Sequence, residues 1–341
     1  MPDHDGRFLR ACRGEATDAT PVWFMRQAGR YMPEYRALRA THSLLELCHE
    51  PALAAEVTLQ PVTRLGVDAA ILFADILLPF EPLGLGLSFA TGEGPHLAHP
   101  IRDAAAVNQL PEPDPVDVLA YVLQAVRMAV SLLPPGIPLI GFAGAPFTLA
   151  SYAIEGGATR TFARTKRFMY EQPAAWHRLL EKLAEFVGRY LAAQADAGAR
   201  ALQLFDSWVG CLSPADYREY VLPHSSRALD LAGEGGVPLI HFGTETGAFL
   251  EDFAAAGGDV IGVDWRTPLD AAWRRIGARA IQGNLDPVAC LAPRPVLASK
   301  VREVLAHAAG RAGHIFNLGH GVLPETPVEH LQHVVRLVHG A

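Results

Sequence analysis

The sequence predicts a single α/β domain folded as a (β/α)8 barrel. Three observations carry that prediction. Short apolar runs recur between residues 67 and 320, each closed by polar residues, glycine or proline. Stretches with apolar residues at three- and four-residue spacing separate many of them. No G-x-G-x-x-G follows any run, which makes an open doubly wound sheet the second choice. Strands alternating with helices imply a parallel sheet joined by right-handed crossovers.

In chain order the strand runs are VDAAILFADI (67–76), IPLIGFAGAP (137–146), ARALQLFDSW (199–208), VPLIHFG (237–243), DVIGVDW (259–265), RAIQGNL (279–285) and GHIFNLGH (313–320). Each reads as a strand buried on both faces. An eighth strand is expected near PVWFM (21–25) or within 84–101. Helical spacing marks 174–198, 213–236 and 327–339, with Ser213 as an N-cap and Pro214 in the first helical position. The proline-rich LPEPDPVD (110–117) reads as a surface loop.

Composition bounds the rest. The chain has 341 residues, 50% of them hydrophobic, enough for one large core. Cys12, Cys48, Cys211 and Cys290 lie far apart with no Cys/His metal spacing, so a reducing compartment is expected and a metal site is not. The N-terminal stretch MPDHDGRFLRACRG lacks an apolar signal core, and no run approaches the ~20 apolar residues of a membrane span. A soluble, cytoplasmic protein is expected, with no membrane partner. A net charge of -7 argues against a nucleic-acid partner.

Barrel active sites stand at the C-terminal ends of the strands. Those ends carry Asp75, Tyr152, Asp206, Ser207, His241, Asp264, Asn284, Asn317 and His320. Asp and Asn after strands also cap helices, and that reading is kept for Asp264, Asn284 and Asp286. Asp75 differs, because ILLPF after it does not look like the first turn of a helix. A carboxylate between apolar flanks needs partners. His241 reads as structural, and Tyr152 and His320 each have a plain packing alternative.

Residues 21–40 run against the overall charge, with Arg26, Arg30, Arg36 and Arg39 against Glu34 alone. Arg36 and Arg39 fit an exposed helix face. Arg26 and Arg30 flank QAG in an irregular turn, where guanidinium forks and free backbone amides together suit an anion. The residues thus point to a barrel enzyme whose anionic substrate is clamped by arginines and faces a buried aspartate. They do not name a reaction.

PVWFMRQAGRYMPEYR closely resembles the N-terminal signature of the uroporphyrinogen decarboxylase family. The resemblance continues through TLQPVTRLGVDAAILFADIL, PLIGFAGAPFTLASYAIEGG, LQLFDSW, QGNLDP and FNLGHG, in order and across nearly the whole chain. It implies a (β/α)8 barrel over residues 1–341 with the 21–40 segment over the mouth. It implies conversion of uroporphyrinogen III to coproporphyrinogen III with loss of four CO2, without metal or organic cofactor, in haem biosynthesis. It implies a cytosolic homodimer. By motif, the substrate-binding stretch falls on Arg26, Gln27, Ala28, Gly29 and Arg30. The central aspartate falls on Asp75, the tyrosine on Tyr152, the serine on Ser207 and the histidine on His320. Asp75, Arg26, Arg30 and Tyr152 are the expected catalytic residues, with the proton donor open among the arginines, Tyr152 and His320. Residues 26–36 are expected to be more mobile than the barrel. Two other readings are a zinc methyltransferase on the same barrel, disfavoured by HFGT where a His-x-Cys pair is needed, and a non-catalytic tetrapyrrole carrier.

Overall fold

A computed structural model describes residues 5–89 and 94–340. Its strands are β1 (Ala70–Ile71), β2 (Leu87–Phe89), β3 (Pro95–Leu97), β4 (Leu139–Gly144), β5 (Ala201–Asp206), β6 (Leu239–Gly243), β7 (Val260–Gly262), β8 (Ala280–Gln282) and β9 (His314–Ile315). One parallel sheet runs in the order β1-β4-β5-β6-β7-β8-β9. Each strand therefore pairs with the next of the series, as a barrel wall requires. All seven expected runs are in this wall, and their strand residues are almost wholly buried, which explains why they read as continuous apolar runs.

The wall closes through residues 21–23. Val22 bridges Phe316 in parallel. Trp23 N donates to Phe316 O at 3.3 Å, Phe316 N to Pro21 O at 2.8 Å, and Asp68 N to Val22 O at 2.8 Å. The PVWFM segment is thus the eighth stave, wedged between β9 and the chain entering β1. The other expected location, 84–101, holds the antiparallel ribbon β2–β3 instead, and residues 90–93 within it lie outside the described residues.

Inside the barrel, Trp23 Nε1 donates to Gln282 Oε1 at 3.0 Å and Gln282 Nε2 to Gln203 Oε1 at 3.1 Å. This chain ties the eighth stave to β8 and β5, each bond sparing a buried amide a cost of about 1–3 kcal/mol, and it ends at Gln203 Nε2, which has no partner among the described residues.

Helices cover the outside. The helix Pro173–Asp196 packs along the helix Leu222–Gly233. Gly188 permits the approach, since a Cβ there would stand 2.9 Å from Ala228 O. The 213–236 stretch is two helices rather than one, Pro214–Tyr220 and Leu222–Gly233. Pro223 has no N–H to continue the first and its ring crowds the carbonyl four residues back, so the chain breaks at Val221 and the second helix starts with Pro223 in its first turn. Ser213 does cap, with its Oγ accepting from Asp216 N at 3.1 Å. Residues 110–114 are irregular as expected, and a helical turn follows at Pro115–Val118.

Candidate active site

The C-terminal ends of the strands open on one cleft of about 800 Å³, counting the space open to solvent. Its floor is apolar. Phe142 of β4, Phe205 of β5 and Phe242 of β6 line it, joined by Ile71, Leu72 and Phe73. Phe205 meets Phe142 and Phe242 edge-on, with ring centroids 5.5 and 5.8 Å away. Polar side chains reach this floor from four places: Arg26, Asp75, Ser207 and His320.

Asp75 leaves β1 after Phe73, whose N donates to Thr58 Oγ1 at 2.8 Å. Asp75 Oδ1 accepts from Leu77 N at 2.9 Å. A 3-10 turn, Leu78–Phe80, begins just beyond. The carboxylate therefore closes a local turn onto Leu77 N, ahead of the 3-10 turn, a role ILLPF did not suggest, while its second oxygen keeps its bonding capacity. Burial raises its pKa above the usual carboxylate range, and the Leu77 amide and the Arg26 charge pull it back.

Arg26 adopts a left-handed backbone, φ 59°. Such a conformation is uncommon for a residue with a side chain and tends to cluster at functional sites. The turn around it is well anchored. Gln27 is fully buried. Its Oε1 accepts from Phe24 N and its Nε2 donates to Ala69 O, both at 3.1 Å. Met25 N donates to Asn317 Oδ1 at 3.1 Å, and Val322 N to Met25 O at 2.9 Å. Tyr31, Met32 and Tyr35 are buried. These contacts tie the turn to the chain entering β1 and to the segment after β9.

The expected Arg26–Arg30 stretch is split. Arg26 and Ala28 line the cleft. Gln27 turns inward, Gly29 O accepts from Met32 N at 2.9 Å, and Arg30 is exposed outside the cleft floor. Arg36 is not idle on the surface: its Nη1 donates to Arg30 O and Tyr31 O, each at 2.9 Å.

His320 Nδ1 accepts from Gly321 N at 2.7 Å. In the neutral ring the proton is then on Nε2. Burial, with Arg26 and Arg266 nearby, lowers its pKa to about 4, so the ring is neutral at pH 7. Tyr152 is on the helix Pro146–Glu155 after β4. Its ring stacks on Trp208, centroids 3.7 Å apart at 27°. Burial raises its hydroxyl to about 12, Asp75 adds to the rise and Arg26 opposes it. Tyr152 is thus within electrostatic reach of both cleft charges, although it is not on the floor. Its packing partner is the indole of Trp208.

Asp264, Asn284, Asp286 and His241 make structural contacts. Asp264 accepts from Glu245 N, Arg266 N and Arg266 Nη1. Asn284 donates to Asp264 O and Thr267 O. Asp286 caps Val288 N at 2.9 Å. His241 stacks on Phe253 and is pushed down to about 3 by burial. The three phenylalanines of the floor were not singled out from the sequence. Each stands within two residues of its strand's last position, a pattern that marks them in retrospect. Among the described residues no three His, Cys, Asp or Glu side chains form a group able to hold a metal ion. No helix among them is long and apolar enough to cross a membrane.

A family model described as Uroporphyrinogen decarboxylase (URO-D) matches residues 3–341. A relative from Sorangium cellulosum named uroporphyrinogen decarboxylase is 60% identical over 99% of this chain and 96% of its own. One of the same name from Carboxydothermus hydrogenoformans is 57% identical over 97% of this chain and 95% of its own. Among solved structures, a methyltransferase from Methanosarcina mazei superposes with a TM-score of 0.81 at 19% identity, covering 97% of this chain and 96% of that one. At that identity the likeness concerns the barrel alone.

Proposed function

The chain belongs to the uroporphyrinogen decarboxylase family, and from that premise we propose that its cleft binds uroporphyrinogen III around Asp75 and removes the four acetate carboxyls to give coproporphyrinogen III. The observation that carries this reading is the pairing of one carboxylate, Asp75, with an apolar phenylalanine floor and the cationic Arg26. A flexible tetrapyrrole offers inward N–H donors, an apolar ring and peripheral carboxylates, which match those three features in turn. Each charge-assisted N–H bond to Asp75 contributes about 1.5–3 kcal/mol.

The chemistry needs a place for two electrons. A proton adds to a pyrrole carbon and makes the ring cationic. The bond between the acetate methylene and its carboxylate then breaks, CO2 leaves, and the electron pair neutralises the ring as an exocyclic methylene. That methylene takes a proton to become methyl and the ring loses the one it gained. The balance for each acetate is one proton consumed and one CO2 released, with no electron sink other than the pyrrole, so the reading requires no cofactor. Asp75 stabilises the cationic ring, an electrostatic contribution greatest in a low-dielectric site. Arg26 holds a carboxylate at the cleft, and Arg30 adds cationic charge outside its floor. Tyr152 and the neutral His320 carry protons at pH 7 and serve as donors to bound acetates.

We read residues 1–341 as one catalytic barrel domain, with 21–40 forming both its eighth stave and the cationic side of its mouth. A cytoplasmic homodimer is proposed with it, on the resemblance and the composition. The test is anaerobic incubation with uroporphyrinogen III, oxidation of the products and chromatography by carboxyl number. The expected result is a succession of seven-, six-, five- and four-carboxyl porphyrins. Unchanged eight-carboxyl material would overturn the reading.

A further inference from the structure

Thr148 and Asp206 are both fully buried, and neither lines the cleft. Thr148 Oγ1 donates to Asp206 Oδ1 at 2.8 Å and accepts from Trp208 N at 3.3 Å. One hydroxyl therefore grips the residues on either side of Ser207, which does line the cleft. Thr148 and Tyr152 are four residues apart on the helix Pro146–Glu155, so they share a face. The indole of Trp208 fills the space beside that face. It stacks on Tyr152 at 3.7 Å and takes Phe162 edge-on at 5.1 Å.

Asp206 has a cost to explain. Its Oδ2 is buried without a partner among the described residues. Burial pushes the carboxyl up to about 7, with only the Thr148 hydrogen bond opposing. An acid in that position destabilises the fold relative to an apolar residue of similar size. The one hydrogen bond of its side chain among the described residues is the contact with Thr148.

We propose that Asp206 and Thr148 are positioning residues for the decarboxylation: they lock Trp208 against Tyr152 and so fix the tyrosine hydroxyl over the cleft. The lock works through Tyr152, and it rests on the decarboxylase reading of the site. Asp206 orients the Thr148 hydroxyl by accepting its proton, which leaves the lone pairs of Oγ1 for Trp208 N. Without that acceptor the hydroxyl turns elsewhere, the Ser207–Trp208 turn loosens, and Tyr152 loses the surface it stacks on.

The test is a double-mutant cycle on the whole chain, with uroporphyrinogen III as substrate. Thr148→Val keeps the shape and removes both hydrogen bonds. It is expected to lower kcat/KM about tenfold, and Thr148→Ser to keep it within about twofold of wild type. In a Tyr152→Phe background, Thr148→Val is expected to cost less than about twofold more, because its target is already gone. Losses that multiply in the double variant, or wild-type kinetics in Thr148→Val, overturn the proposal. If Thr148→Val does not fold, Trp208→Leu carries the same cycle with the Thr148–Asp206 bond intact. Near-ultraviolet circular dichroism provides a readout independent of turnover. The band lost on Trp208→Leu reports the stacked pair; it is expected to be absent in Thr148→Val and present in Thr148→Ser. Its persistence in Thr148→Val contradicts the lock even if the protein leaves uroporphyrinogen untouched, an outcome that by itself defeats only the functional reading.

Discussion

The side chain of Arg26 lies across the backbone of Gly321, so closely that a Cβ on residue 321 would stand 2.8 Å from Arg26 Cγ and 3.1 Å from its Nε. The arginine reaches the cleft because residue 321 has no side chain. The contact joins two distant motifs, since Gly321 follows the cleft histidine His320 and Arg26 opens the basic turn. Gly321→Ala should therefore act as a variant of Arg26. A loss of about tenfold in kcat/KM, or 1.4 kcal/mol, is expected. The double variant with Arg26→Ala should be scarcely worse than Arg26→Ala alone. Steady-state kinetics of the four proteins check this; independent, multiplying losses would contradict the shared volume.

The arginines should rank by their contacts. Arg26 lines the cleft and Arg30 does not, while Arg36 braces the carbonyls of residues 30 and 31. Arg26→Ala should cost most in kcat/KM and Arg30→Ala less. Arg36→Ala should show a measurable loss through slackening of the Arg30 turn. Equal losses from Arg26→Ala and Arg30→Ala would show that both face the substrate directly.

Folding stability should fall with acid before the surface carboxylates titrate. Burial lowers His224, His314 and His320 to about 4 and His241 to about 3, from an ordinary 6.5. The unfolded chain takes up these protons near pH 6.5 and the folded chain resists until about pH 4. The stability they confer is thus complete above 6.5 and lost as pH falls towards 4. Asp206 and Asp75 work the other way. Their raised values mean the fold binds protons that the unfolded chain releases above its ordinary 3.8. Four histidines against two aspartates leave a net fall. Urea midpoints at pH 7.0, 5.5 and 4.5 should decline. They should decline more steeply in Asp206→Asn, which loses an opposing group. A flat profile would mean these histidines are solvated.

His320 should not produce the acidic limb of the rate profile between pH 5 and 8, because its ring stays neutral there. The pH profile of kcat/KM for His320→Asn should run parallel to wild type at a lower level. A limb near pH 6.5 that disappears in His320→Asn would show an ordinary, solvated histidine.

The barrel was legible because seven buried strands leave seven apolar runs, and burial on both faces is a local property of the sequence. The closing stave was less so. Val22 meets Phe316 across most of the chain and Asp68 well beyond any local window, and nothing local to PVWFM distinguishes a stave from a core segment. At the site, Asp75 stood out as a charge between apolar flanks. Gln27 could not be separated from Ala28 in RQAGR, because the direction of a side chain in an irregular turn depends on partners such as Ala69 O and Phe24 N. Phe142, Phe205 and Phe242 were hidden for the opposite reason: in a buried strand a phenylalanine facing the cleft looks like one facing the core. The break at Val221 is legible in Pro223, which interrupts the helical spacing around it.

In the proposed reaction the Asp75 carboxylate anchors the pyrrole N–H groups and stabilises the protonated ring. Asp75→Asn keeps the size and the Oδ1 acceptor for Leu77 N and removes the charge. Single-turnover decarboxylation of uroporphyrinogen III by this variant, followed by chromatography of the oxidised products, measures the charge directly. A rate about 100- to 1000-fold below wild type, in a protein with unchanged unfolding behaviour, is the predicted result, corresponding to about 2.7–4 kcal/mol of transition-state stabilisation. A rate within a few-fold of wild type would contradict it.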